Sequence, residues 1–127
     1  MSFDVFFQRF RDGDAEPGGG DRVRQMLKPF VVRAEDPEHP FMLVEYGDGS
    51  AVVYLNADGM MANHITGRDP WDLLVEGARA AGWVIMPVGC PTCLTDEVQR
   101  IHLPEGLSED VAMVATGEEV LRVIQSG

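Results

Sequence analysis

The run from Phe41 to Asn56, Phe-Met-Leu-Val-Glu-Tyr-Gly-Asp-Gly-Ser-Ala-Val-Val-Tyr-Leu-Asn, constrains this chain more than any other stretch. Two apolar, β-branched and aromatic runs flank Asp48-Gly49, and an Asp-Gly pair is the strongest short-range signal for a β-hairpin. With those two residues as a type I′ loop, Tyr46 faces Ala51, Val44 faces Val53 and Met42 faces Leu55. One face is then wholly apolar. The other, with Phe41, Leu43, Glu45, Val52, Tyr54 and Asn56, is mixed. A slip of one residue would exchange the two faces, so burial decides which one turns inward. The expectation is a hairpin at the centre of a sheet, with helices over its Met42/Val44/Val53/Leu55 face.

The rest of the chain supplies partners for that hairpin. Ser2 to Phe10 alternates, with Phe3, Val5 and Phe7 against Asp4, Phe6, Gln8 and Phe10, and reads as a strand. Asp12 to Gly20 reads as a surface loop; its three adjacent glycines lack the Lys-Ser/Thr that completes a phosphate loop. Asp21 can cap a helix over Arg22 to Lys28, with a stripe of Val23, Met26, Leu27 and Phe30 that Pro29 ends. Residues 35–40 form a polar turn with His39 in solvent. Met60 to Ile65 reads as a third antiparallel strand, placing a half-buried His64 beside Met60 and Ala62.

Asp69-Pro70 opens a helix whose stripe is Trp71, Leu74, Val75, Ala78 and Ala81, and Gly82 stops it. Gly77 inside it costs about 1 kcal/mol against alanine, which close approach to the sheet would offset. Trp83 to Val88 is continuously apolar, as in a strand covered on both faces by parallel pairing. Thr95 can cap a short helix to His102, Val111 to Ala115 reads as a strand, and Thr116-Gly117-Glu118-Glu119 has the form of a capping box before a last helix. The order is β-α-β-β-β-α-β-α-β-α. It predicts a single α+β domain over residues 1–127. Its one mixed, mainly antiparallel sheet carries helices mostly on one face, with a ferredoxin-like (split βαβ) start and a C-terminal βα extension.

Charge narrows the choice of partners. Residues 1–33 hold six basic and five acidic side chains, while 34–127 hold four basic and sixteen acidic, for a net −11 overall. Such a surface repels a phosphate backbone, so nucleic acid is not an expected partner, whereas a basic protein would be attracted. No apolar run approaches the roughly 20 residues that span a bilayer, so no membrane partner is expected. The opening residues lack a small-residue cleavage site, and the expected location is the cytoplasm.

Chemistry concentrates in one place, Cys90-Pro91-Thr92-Cys93. A CxxC segment at a helix N-terminus can hold a reactive thiolate, because amide donors and the helix dipole favour the anion. The motif here lies late in the chain, and the capped helix starts only at Thr95. CxxC is also half of a tetrahedral zinc site, which His64 and His102 alone could complete, although no finger or ribbon spacing fits. The third reading gives the cysteines no chemistry and packs them as small apolar residues after a buried strand. No catalytic residue and no resident cofactor is expected, zinc being the alternative.

The opening Met-Ser-Phe-Asp-Val-Phe-Phe-Gln-Arg-Phe-Arg-Asp-Gly resembles the start of a family of small bacterial α+β proteins. The likeness returns in Asp69-Pro70-Trp71-Asp72-Leu73, Pro87-Val88-Gly89-Cys90-Pro91, His102-Leu103-Pro104 and Thr116-Gly117-Glu118-Glu119-Val120-Leu121. The family has no established activity, so the resemblance implies no site residue. Its Gly-Cys-Pro turn has no dependable second cysteine, and Cys93 is a departure that weakens the thiol and zinc readings. The leading expectation is a non-catalytic acidic module that binds another protein, with a homodimer through the face bearing Phe41, Leu43 and Tyr54 as a further option. The alternative is a CxxC-centred redox or zinc protein.

Overall fold

Why the hairpin forms is visible in its loop. The computed structural model describes residues 3–34 and 40–126; apart from Pro40, the polar turn with His39 lies outside them. Strands β4 (Phe41–Tyr46) and β5 (Gly49–Leu55) pair antiparallel, with Tyr46 opposite Gly49, Val44 opposite Ala51 and Met42 opposite Val53. The loop is therefore Gly47-Asp48, one residue earlier than expected, and Gly47 supplies the positive φ of 58°. Pairing shifts by two residues along β5. Because the shift is even, the inward face is unchanged: Met42, Val44, Ala51, Val53 and Leu55 are all buried.

Asp48 is drawn into the loop by a distant helix. Its carboxylate accepts from Arg68 N at 2.9 Å and Asp69 N at 2.8 Å, at the start of helix α2 (Asp69–Ala81). Asp69 in turn accepts from Asp48 N at 3.1 Å. The expected local cap is thus replaced by a reciprocal one across the fold, which supplies the acceptors that a helix start lacks. The Asp69 and Arg68 amides hold the Asp48 carboxyl below its ordinary range. A depressed carboxyl stabilises the fold above its unfolded pKa, and that contribution is lost as pH falls through the folded value. Asp48→Ala is expected to lower the melting temperature by several degrees at neutral pH. The gap to the parent should narrow in acid; a pH-independent gap would contradict this.

Around the hairpin the sheet runs β3-β4-β5-β6-β1-β7-β8-β9. The other members are β1 (Val5–Arg11), β3 (Val31–Ala34), β6 (Gly59–Asn63), β7 (Val84–Pro87), β8 (Thr92–Leu94) and β9 (Val111–Met113). β2 (Asp14–Glu16) pairs with the end of β1 through Asp12-Gly13, where φ is positive at both residues, so the expected loop begins as a hairpin. Pairing is antiparallel except between β8 and β9. Val84 and Ile85 are buried on opposite faces of β7, but Val88 is exposed, and the partners β1 and β8 are antiparallel to β7. A split βαβ start would set the hairpin directly beside β1; β6 stands between them instead.

Helices α1 (Gly20–Leu27), α2 and α3 (Gly117–Ser126) cover one face. Val23, Leu27, Trp71, Leu74, Ala78 and Val120 meet Val5, Phe7, Val53, Leu55 and Ile85 in one core. Gly19 precedes α1 as its cap, so Asp21 is not the cap expected. Asp96, not Thr95, caps the 3-10 segment Glu97–His102, reciprocally with Gln99. That segment and the following loop cover the opposite face over β7, β8 and the adjoining ends of β1 and β9, where Val84, Leu94 and Leu103 form a second, smaller core with Phe10, Met86, Leu107 and Val111. No helix among the described residues is long and apolar enough to cross a membrane.

Candidate functional site

Among the described residues, no helix covers the second face over β4, β5 and β6. Residues paired across an antiparallel ladder share a face, and their side chains stand next to one another. Phe41 lies opposite Tyr54, Tyr54 opposite Met61, Met61 opposite Phe6, and Phe6 opposite Met86. Five large apolar side chains therefore form one row across β4, β5, β6, β1 and β7. Phe41 and Tyr54 stack edge-to-face with ring centroids 5.8 Å apart. Phe6 is 45% exposed and Val88 54%.

The β7 end of this row deepens into a groove of about 740 Å³. Phe6, Tyr54, Met61 and Met86 form its floor, with the Val88-Gly89-Cys90 turn and Leu107 at its sides. Among the described residues, no charged side chain lines it. Sequence reasoning marked Phe41, Leu43 and Tyr54 as an uncovered face but missed Phe6, Met61 and Met86. The alternation of β1 already turns Phe6 away from Val5 and Phe7. What local pattern cannot supply is the placing of β1 between β6 and β7.

The two thiols face different surroundings. Cys90 sits in the β7–β8 turn, half-buried and lining the groove. Cys93 is on β8 opposite Ile85, fully buried in the main core. Burial, and secondarily the neighbouring Cys90, push the Cys93 thiol up from 9.0 to about 12. The motif runs into a strand, so there is no helix N-terminus to stabilise a thiolate, and the redox device weighed from the sequence lacks its physical basis. One thiol per chain, Cys90, is expected to react with Ellman's reagent in the native protein, and Cys93 only after unfolding. Because the folded pKa of Cys93 is raised, its contribution to stability is complete below pH 9.0 and declines as pH rises towards about 12. Cys93→Ala should flatten that decline; equal alkaline profiles would count against it.

The four residues considered as zinc ligands are not assembled. Among the described residues, no group of three or more His, Cys, Asp or Glu could hold a metal ion. His102 is tied to the β1–β2 turn: its Nδ1 accepts from Asp12 N at 3.3 Å, and its carbonyl accepts from Gly13 N at 3.0 Å. His64 is exposed, at the end of β6, with φ of +49°. The strand stops at Asn63, one residue before the half-buried position expected for this histidine.

A second cavity, of about 330 Å³, lies among Arg9, Arg11, Glu16, Arg79, Gln99 and His102. Most of its charged groups are already engaged. Arg9 pairs with Glu16 at 2.7 Å and donates to Ala81 O at 3.3 Å; Arg79 donates to Ala115 O at 2.8 Å. Gln99 accepts from Thr95 N and Asp96 N and donates towards Gly82 O and Trp83 O. This polar network fastens the 3-10 segment to the end of α2.

Fold and site together define a mixed-sheet α+β protein with an open apolar face. No protein-family model, no curated protein and no solved structure matches this chain.

Proposed function

We propose that this protein is a non-catalytic binding module that takes up a segment of another protein on the open face of its sheet. The observation that supports this reading is the run Tyr54, Met61 and Phe6, over which no helix lies among the described residues, while the helices bury the main core on the opposite face. Aromatic and methionine side chains are enriched in the cores of protein interfaces, and methionine adapts to differently shaped partners. The free thiols fit action in a reducing cytoplasm.

A photo-crosslinking amino acid placed at Phe6 tests the reading in cells. A discrete adduct is expected at that position and not at Ile101, which is 74% exposed and lies off the face. Met61→Glu in the same chain should abolish the adduct. Equal labelling at both positions, or none at either, would remove the support for a docking face.

A further inference from the structure

The surroundings of the row specify what should lie on it, and this step rests on the docking reading above. Leu107, at one side of the groove, belongs to a loop that carries Glu105, Glu109 and Asp110, all exposed. None of the three forms an ion pair among the described residues; the glutamates with ion pairs, Glu16, Glu76, Glu97 and Glu118, lie elsewhere. One register step along the sheet from Phe6 and Met61 lie Asp4 and Asn63. Asn63 donates to Asp4 Oδ1 at 3.1 Å, so the half-buried Asp4 carboxylate is held at that end of the row. The Asp4 carboxylate on one side and the acidic loop beside Leu107 on the other thus surround the apolar row with negative charge. The face does carry Arg33, which pairs with Leu43 at the far edge strand β3.

We infer that the occupant is a basic amphipathic segment of a partner protein. Its apolar side chains rest on Phe6, Tyr54, Met61 and Met86. Its Lys or Arg residues point towards Asp4 on one side and the Glu105–Asp110 loop on the other. A second copy of this chain is the weaker candidate, because two molecules of net charge −11 would bring like acidic loops together. Electrostatic attraction in such a contact acts on approach and selectivity, while the buried apolar anchors hold the complex.

Selection from a library of random 12-residue peptides displayed on phage tests this, with the whole protein as bait. Enriched peptides should combine at least one aromatic or large aliphatic residue with two or more Lys or Arg. Affinity should fall about tenfold or more with Phe6→Glu, the size expected for loss of a central anchor. It should fall several-fold with Glu105→Gln/Glu109→Gln/Asp110→Asn and at high salt, and stay unchanged with Ile101→Glu. Circular dichroism of each variant checks that it remains folded. Enriched apolar peptides without basic residues, still lost on Phe6→Glu, would overturn the charge assignment and leave the docking face standing. Absence of any Phe6-dependent peptide would overturn both. A dimer in sedimentation that Phe6→Glu dissociates would replace the basic segment by a second copy.

Discussion

Trp83→Ala is expected to cost about 4 kcal/mol, the middle of the range for truncating a buried tryptophan. The indole is fully buried in the main core, directly after α2. Its Nε1 donates to Gly18 O at 3.0 Å, so the residue also anchors the three-glycine segment that leads into α1. Its backbone is held as well, Trp83 N donating to Ala78 O at 2.9 Å. Domains of this size are stable by roughly 5–15 kcal/mol, so the loss could consume most of the margin. Urea unfolding followed by far-ultraviolet circular dichroism measures it. Trp83→Phe separates the two contributions: it keeps most of the volume and removes the donor to Gly18, for about 1 kcal/mol, with water able to reach the freed carbonyl. A loss below about 1.5 kcal/mol for the alanine variant, with an unchanged denaturant slope, would mean that the indole does not organise this corner.

The glycines that Trp83 anchors illustrate what was legible in the sequence and what was not. Their pattern excluded a phosphate loop, and that exclusion rested on missing residues. Their actual use, close packing under an indole more than sixty positions away, leaves no local trace. The same division holds elsewhere. The faces of the hairpin were legible because burial has period two, and a register error of two residues preserves them. The loop position was not, because Asp48 is held by amides of a helix 20 residues further on. Helix α2 announced both its ends, through Asp69-Pro70 and Gly82. β3 and β8 were missed because four and three residues carry too little periodicity to separate from loop.

The candidate site divides in the same way. Cys90 and Cys93 drew attention as a motif, yet strand pairing assigns one to the groove and the other to the core. The row on the open face is a property of the strand order. Its five members come from five different strands, and each alone is an unremarkable strand residue facing away from the main core.

Two glycine-to-alanine substitutions are expected to act in opposite directions, and both signs follow from what a new methyl group would meet. At Gly20 an added Cβ would lie 2.2 Å from Asn56 O and 2.8 Å from the Ala57 backbone. Those atoms are main chain, and Gly20 N donates to Ala57 O at 3.0 Å, so relief requires the start of α1 to move off the β5–β6 turn and give up that bond. Overpacking of this kind, with a lost hydrogen bond, costs about 3 kcal/mol. Gly77 lies in the middle of α2, where its approach is to Val23 of α1 and not to the sheet as expected. An added Cβ there meets the Val23 methyls at 3.6 and 3.8 Å, an ordinary contact distance. Nothing in the packing then requires glycine, and Gly77→Ala should gain about 0.5–1 kcal/mol by restricting the unfolded chain and filling a contact. Chemical denaturation of the pair against the parent gives the comparison directly. Destabilisation by Gly77→Ala would show that α1 and α2 are closer than 3.6 Å allows, and a tolerated Gly20→Ala would show that the α1 start is not pinned against Asn56.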